Sequence, residues 1–144
     1  MIKKNYLLLF TSITFLIILL DQITKYFIVK FKPYLDLKIL SITFIQNTGA
    51  GFGILKNKII ILTIISFLVA LAIIIYYKQI EKKDFPQILF ALFLGGTIGN
   101  LIDRLFRRYV VDFINFKIWP AFNLADASIT IAAIGLIYYY WKRK

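Results

Sequence analysis

The uncharged run IIILTIISFLVALAIIIYY, Ile59–Tyr77, decides the class of fold. A bilayer core of about 30 Å is crossed by about 20 consecutive apolar residues in a helix, and this run is that long and carries no charge. The whole chain is 60% hydrophobic with a mean hydropathy of +0.79, above the roughly 45–50% apolar content of soluble domains. The run therefore predicts a transmembrane helix in an integral membrane protein.

Three further segments meet the same criterion of length and hydropathy. They are Leu7–Val29, Phe85–Leu105 and Asn123–Trp141. Pro86 suits a first helical turn, and Asn123 is a good N-cap residue. We expect an all-α membrane protein with a bundle of four transmembrane helices, in which residues 1–144 form a single domain.

The connection Phe31–Lys58 is too long for a tight turn and predicts a small β-structure. Leu35–Ile45 alternates with period two and is rich in β-branched residues, which is typical of a strand. The run NTGAGFG, Asn47–Gly53, follows, and its glycines interrupt any regular element. We expect an extracytoplasmic β-structure at about residues 31–56, between the first two helices.

The distribution of lysine and arginine predicts the orientation of the chain in the membrane. Met1–Tyr6, Lys78–Asp84 and Lys142–Lys144 are short and densely basic, as cytoplasmic segments are. We therefore expect both termini in the cytoplasm. The first helix resembles a signal peptide, but no small-residue cleavage site follows it, so we expect it to be retained.

Net charge and missing residue types exclude many functions. The net charge of +11 suits cytoplasmic flanks and anionic lipid headgroups, and without a soluble domain it does not indicate nucleic-acid binding. The chain has no cysteine and no histidine, which excludes cysteine nucleophiles, Ser-His triads and the usual zinc and haem sites. Hydrolytic chemistry would have to come from carboxylates, hydroxyls, lysines or a metal held by oxygen ligands; of these we predict a site without a metal or a cofactor.

Polar residues in or beside membrane helices are costly and by default serve function. Asp21 and Lys25 are spaced i,i+4, as an ion pair is. They either fix the first helix or act in a site, and Lys25 could also extend to the membrane surface. The run GGTIGNLIDR, Gly95–Arg104, places small and polar residues on one helix stripe. Its glycines permit close helix contact, while Asp103 and Arg104 are either a surface pair or part of a site.

Asn47 and the two aspartates Asp112 and Asp126 each have a local explanation as well. Asn47 could cap a turn in its glycine-rich loop, Asp112 could lie in a surface turn, and Asp126 could complete a cap three residues after Asn123. Together, however, the aspartates lie at the same predicted membrane boundary. Two carboxylates that share a proton can activate a water, one as base and one as acid.

With these residues assembled, the chain resembles lipoprotein signal peptidase (signal peptidase II), a family of bacterial inner-membrane aspartic peptidases. Five motifs carry the resemblance, in chain order: DQITK at Asp21–Lys25, QNTGAGFG at Gln46–Gly53, GGTIGNLIDR at Gly95–Arg104, VVDFI at Val110–Ile114 and FNLADAS at Phe122–Ser128.

The resemblance implies an aspartic endopeptidase with Asp112 and Asp126 as its catalytic pair. It implies that the substrate is a prolipoprotein signal peptide, cut before a cysteine that carries diacylglycerol, near the outer leaflet. The positions matching polar residues that line or support the family's site are Asp21, Lys25, Asn47, Gly49, Asn100, Asp103, Arg104 and Asn123. Membrane lipids and globomycin-like cyclic peptide inhibitors are the other implied partners, and we expect a monomer.

Two other classes of protein fit part of the sequence. A Ser-Lys peptidase would need a serine that meets a lysine, for which Ser128 and Lys25 are the only candidates that we consider; the presenilin-like GxGD motif does not occur. A small transporter or channel subunit would need polar residues that reach both membrane faces. The apolar cytoplasmic halves of the predicted helices argue against it.

Overall fold

A computed structural model of the chain describes residues 4–50, 54–116 and 118–143. Four long helices are present: α1 (Tyr6–Phe31), α2 (Ile59–Ile75, continued by a 3₁₀ turn over Tyr76–Gln79), α3 (Asp84–Phe106) and α4 (Leu124–Trp141). All four are long and apolar enough to cross a membrane, when α2 is counted with its 3₁₀ turn. Each predicted span is confirmed to within a few residues, and Asn123 is the N-cap of α4.

Helix α3 is the centre of the bundle, because α1, α2 and α4 all pack on it. In its most apolar 18-residue window 61% of the residues are buried, against 11–17% for the other three helices. The outer helices turn large apolar side chains such as Phe15, Phe67 and Ile134 away from the protein, where a bilayer would solvate them.

The glycines of α3 allow this close packing, as the sequence predicted. A Cβ atom on Gly96 would lie 2.4 Å from the backbone oxygen of Ala125, and one on Gly99 would lie 2.7 Å from a carboxylate oxygen of Asp21. Since real Cβ atoms do not approach other atoms so closely, a side chain at either position would push α4 or α1 away from α3.

The sheet has three antiparallel strands in the order β1 (Tyr34–Asp36), β2 (Leu40–Asn47) and β3 (Val110–Phe116). The predicted β-structure between the first two helices is confirmed, and its third strand comes from the α3–α4 connection. The β2–β3 register shifts by one residue, since Ile42 faces Ile114 but Ile45 faces Asp112. Such bulges redirect side chains and often lie next to functional sites.

The two ends of the bundle hold different parts of the chain. At one end Lys4 pairs with Asp84 and Arg143 pairs with Glu81, which brings the two terminal regions to the α2–α3 connection; we call this the terminal end. The sheet lies at the opposite end, which we call the sheet end. Gly51 and Gly53 of the run Asn47–Gly53, and the basic residues Lys3 and Lys144 on which the predicted orientation partly rests, lie outside the described residues.

Candidate active site at the sheet end

Asp112 and Asp126 come together from different elements of the sheet end. Asp112 lies on β3 and is only 1% exposed, so the alternative of a surface turn is wrong. Asp126 lies in the first turn of α4 and is half-buried. Burial of a carboxylate without partners is costly, and each of the two is in fact held by hydrogen-bond donors.

Asn123 connects the two aspartates. Its side-chain oxygen accepts from the backbone N–H of Asp126 at 2.9 Å, and its own backbone N–H donates to the Asp126 carboxylate at 3.2 Å. This is a capping box. The amide nitrogen of Asn123 meanwhile donates to Oδ1 of Asp112 at 2.8 Å. The local explanation of Asp126 as a cap residue is therefore correct and compatible with a role in a site.

Asn100 holds Asp126 from α3. Its amide nitrogen donates to Oδ1 of Asp126 at 2.8 Å. Its oxygen accepts from Nζ of Lys25 at 2.9 Å and from the amide of Asn123 at 3.2 Å. Because an ammonium group can only donate, Lys25 fixes which end of the Asn100 amide points at Asp126.

Asn47 holds Asp112 from the end of β2. Its amide nitrogen donates to Oδ2 of Asp112 at 2.8 Å, and its oxygen accepts from the backbone N–H of Gly49 at 2.9 Å. The turn-capping bond and the bond to Asp112 are thus made by the two ends of one amide. Gly49 is closely packed, since a Cβ there would lie 3.0 Å from the backbone oxygen of Ile54 and could be accommodated only by a small shift of that backbone.

A network of buried ion pairs between α1 and α3 lies next to the two aspartates. Lys25 and Asp21 are fully buried and lie 2.8 Å apart, and Lys25 also pairs with Asp103 at 3.0 Å. The predicted ion pair is confirmed, whereas extension of Lys25 to the surface is wrong. An exposed Asp103–Arg104 pair is also wrong, because Asp103 is fully buried and instead pairs with Lys25 and Arg107.

The same carboxylates position the backbone next to each member of the pair. Asp103 accepts from the N–H of Val111 at 3.0 Å, one residue before Asp112. Asp21 accepts from the N–H of Ala125 at 3.0 Å, one residue before Asp126. Since charge-assisted hydrogen bonds are roughly twice as strong as neutral ones, this network holds β3 and α4 in a fixed relation.

Sequence reasoning missed three residues of this region. Gln22 donates to the Gly99 carbonyl and accepts from Arg107, and Arg107 also donates to Asp103. Ser66 on α2 accepts from Nη1 of Arg104 at 3.1 Å. The i,i+4 spacing of Asp103 and Arg107 was a usable signal, but nothing in the uncharged sequence of α2 distinguished Ser66.

Two connected cavities border the aspartates. The larger, of about 680 Å³, is lined by Asp126 and Arg104 and continues along α4 past Thr130. The smaller, of about 230 Å³, is lined by Asp112. They share the residues Asn47, Gly49, Ala50, Pro120 and Ala121. Asp112 and Asp126 therefore lie where the larger, mainly apolar cavity meets the smaller, more polar one.

The environment of Asp112 raises its pKa to about 7. Burial is the larger cause, because it disfavours the charged carboxylate, and repulsion by Asp126 adds to it. The hydrogen bonds from Asn47 and Asn123 and the charge of Lys25 act in the opposite direction. A carboxyl group with a pKa near neutrality can hold a proton and release it within one reaction.

The Ser-Lys alternative does not fit this geometry. The Ser128 hydroxyl donates to the Leu124 carbonyl within its own helix, and Lys25 is committed to Asp21, Asp103 and Asn100. Both side chains are thus held by other partners, and the two do not form a serine–lysine pair.

Four helices long and apolar enough to cross a membrane, with a small antiparallel sheet at one end, define the class of the protein as a multi-pass membrane protein. Its fold matches a solved bacterial membrane enzyme, determined by the in meso method at 2.3 Å, with a TM-score of 0.88 and 34% identity over 99% of this chain and 93% of that chain.

The chain belongs to the signal peptidase II family. The family model for signal peptidase (SPase) II matches residues 13–142. The chain is 38% identical to the lipoprotein signal peptidase of Halothermothrix orenii over 92% of this chain and 94% of that protein. It is 39% identical to that of Moorella thermoacetica over 88% and 89% respectively. The family and fold predicted from the sequence are confirmed, and with them a peptidase of lipoprotein processing.

Proposed function

We propose that this protein is an aspartic endopeptidase that removes the signal peptide from diacylglyceryl-modified prolipoproteins, cutting before the lipidated cysteine. The observation that carries the proposal is the arrangement of Asp112 and Asp126. Each carboxylate receives two N–H donors, and asparagine side chains supply three of those four. Both aspartates border the connected cavities.

In this mechanism the pair holds one proton and a water molecule between its carboxyl groups. The ionised partner takes a proton from the water as its oxygen forms a bond to the scissile carbonyl carbon. The protonated partner gives its proton to the carbonyl oxygen. As the C–N bond of the resulting diol breaks, one of its hydroxyl groups gives its proton to the ionised carboxylate, and the departing nitrogen takes the proton of the protonated partner. The products are the carboxylate end of the signal peptide and the amine of the cysteine.

Arg104 is the best-placed group to bind the substrate. It is 9% exposed, lines the larger cavity with Asp126, and its Nε has no hydrogen-bond partner among the described residues. A buried N–H group without a partner is costly, so a peptide carbonyl in the cavity would satisfy it. The apolar remainder of the cavity along α4, including Ile129 and Ile131, suits an acyl chain or the apolar part of a signal peptide.

The test uses purified protein in detergent and a diacylglyceryl-modified prolipoprotein, with cleavage followed by gel mobility and mass spectrometry. Asp112→Asn and Asp126→Asn should each lower the rate by at least about 100-fold, since general acid–base catalysis contributes roughly 10²- to 10⁴-fold. Asp36→Asn, an exposed carboxylate on β1, is the matched control and should cleave normally.

Substantial cleavage by either variant at the pair, with its thermal unfolding unchanged, would refute the aspartate mechanism. Equal cleavage of a substrate without the diacylglyceryl group would refute the proposed specificity and leave the mechanism standing. Loss of cleavage in Ser128→Ala without loss of folding would favour a serine nucleophile.

A further inference from the structure

A second pair of cavities lies at the terminal end, away from the aspartates. Helices α1 and α2 both pack on α3, and among the described residues their own backbones stay more than 8 Å apart, although the rings of Phe10 and Tyr77 meet across the gap with centroids 4.8 Å apart. The seam between them holds a cavity of about 420 Å³. Its walls are almost wholly apolar and include Leu7, Phe10, Phe15, Ile18, Ile74 and Leu94. Such a groove on the lipid-facing side of a membrane protein suits a hydrocarbon chain.

The mouth of this groove is basic. A cavity of about 460 Å³ at the start of α1 is lined by Lys4, Tyr6 and Lys82, and it shares Leu7 and Tyr77 with the apolar groove. The two cavities thus form one path that leads from an apolar wall to two lysines. A tyrosine and lysines at the end of a membrane helix mark the depth of lipid headgroups.

The two lysines differ in how firmly they are held. The ammonium of Lys82 lies 4.2 Å from the centroid of the Tyr77 ring, and it pairs with no carboxylate in residues 4–50, 54–116 and 118–143. Lys4 pairs with Asp84 at 2.5 Å, but both side chains are about half exposed, and such surface pairs are weak. The neighbouring Lys83 is already paired with Glu81. Lys82 is therefore available to a phosphate, and Lys4 can join it by exchanging its exposed Asp84 partner for the phosphate.

We propose that this seam binds one anionic phospholipid, with an acyl chain in the apolar groove and its phosphate between Lys4 and Lys82. The apolar groove by itself would accept any lipid. The basic mouth adds a preference for negative charge, because a lysine near a membrane surface attracts anionic lipid. A lipid in this position would fill the space between α1 and α2 that α3 alone does not close, on the opposite side of the bilayer from the substrate.

The test is native mass spectrometry of the full-length protein in detergent, titrated with phosphatidylglycerol or with phosphatidylcholine of the same acyl chains. The unmodified protein should retain one phosphatidylglycerol in preference to phosphatidylcholine. Lys82→Gln should weaken phosphatidylglycerol binding about five-fold, the factor that corresponds to one lysine at a membrane surface. Lys78→Gln is the matched control, since Lys78 is exposed in the same region and lines neither cavity.

A second variant tests the groove independently of the charge. Thr11 lines the apolar cavity and is exposed, so Thr11→Trp should obstruct the acyl chain and lower the binding of both lipids. Equal effects of Lys78→Gln and Lys82→Gln would overturn the proposal in favour of diffuse attraction. The proposal would also be overturned if soluble glycerol phosphate competed with the lipid while Thr11→Trp left lipid binding unchanged. A dimer held at this seam, with no bound lipid, would show that a second copy of the chain occupies it.

Discussion

The sheet end and the terminal end of the bundle are stabilised in different ways. At the sheet end the interior contains Asp21, Lys25 and Asp103, all fully buried and mutually paired. At the terminal end the buried cluster consists of apolar residues such as Phe10, Ile73 and Ala91. Buried ion pairs contribute less to stability than apolar packing does. The interior of the sheet end is therefore suited to a functional site, and the apolar interior of the terminal end is suited to holding the helices together.

The apolar cluster also bears on the transporter alternative. A path for ions would need polar groups through both halves of the bundle. The half of the bundle at the terminal end instead contains a contiguous buried cluster of apolar residues: Phe10, Ala70, Ile73, Ile80, Ala91 and Leu94. The buried polar network of Asp21, Lys25 and Asp103 lies instead at the sheet end.

Lys25→Met should have the largest effect, because it leaves Asp21 and Asp103 buried without their cation. Removal of one partner of a buried pair costs about 3–5 kcal/mol, measured as a lower midpoint of thermal unfolding in detergent. The fraction that remains folded should also be a poor peptidase, since Asn100 loses the contact that orients its amide toward Asp126. Lys30→Met, an exposed position on the same helix, should change neither quantity. An active and stable Lys25→Met protein would contradict the supporting role of the network.

Ile73→Ala should weaken the terminal end alone. Loss of a buried isoleucine side chain costs about 2 kcal/mol or more through the cavity that it leaves, and Ile73 is 8% exposed in the apolar cluster. The unfolding midpoint should fall while kcat and KM per folded molecule stay unchanged. A fall in kcat at a temperature where the variant is fully folded would show that the two ends are coupled more tightly than their separate interiors indicate.

Asn47→Ala should move the pH dependence of cleavage. With the pKa of Asp112 raised to about 7, kcat/KM should fall as pH rises above 7, because the acidic partner of the pair loses its proton. The Asn47 amide stabilises the charged carboxylate, so its removal should raise the pKa of Asp112 further and shift the alkaline limb to higher pH. The Asp36→Asn protein should keep the original profile. If the alkaline limb stays in place or moves to lower pH, titration of Asp112 is not the cause of that limb.

Ser66→Ala should have the smallest effect. It removes the hydroxyl that accepts from Nη1 of Arg104, and one such bond is worth about 1 kcal/mol, or roughly five-fold in rate or affinity. If Arg104 binds the substrate, KM should rise and kcat should change little. Thr63→Ala is the control on the same helix, because the Thr63 hydroxyl donates to the Ile59 carbonyl within α2. An equal response of the two variants would assign Ser66 no role beyond helix packing.

Much of the candidate site could be predicted from the sequence because polar residues are so costly in membrane helices. Asp21, Lys25 and Asn100 stood out against apolar neighbours, and all of them lie at the sheet end. The partners were harder to predict. From the sequence, Asp103 could form a surface pair with its neighbour Arg104. In the structure it pairs with Lys25 and Arg107, because the rotation of α3 in the bundle decides which of its residues face α1.

What the sequence determined by itself is local: four spans, whose existence follows from runs of about 20 apolar residues, the strand-forming run, and the caps at Asn47 and Asn123. What the tertiary structure decided is which polar groups meet. Asn47 and Asp112 are separated by 65 residues, and Asp21 and Ala125 by 104. No periodicity encodes such pairs, because they depend on close contact of α1 and α4 with the glycines of α3 and on the β2–β3 register. Those contacts place Asp112 and Asp126, which the sequence shows as a strand residue and a helix cap, at one site.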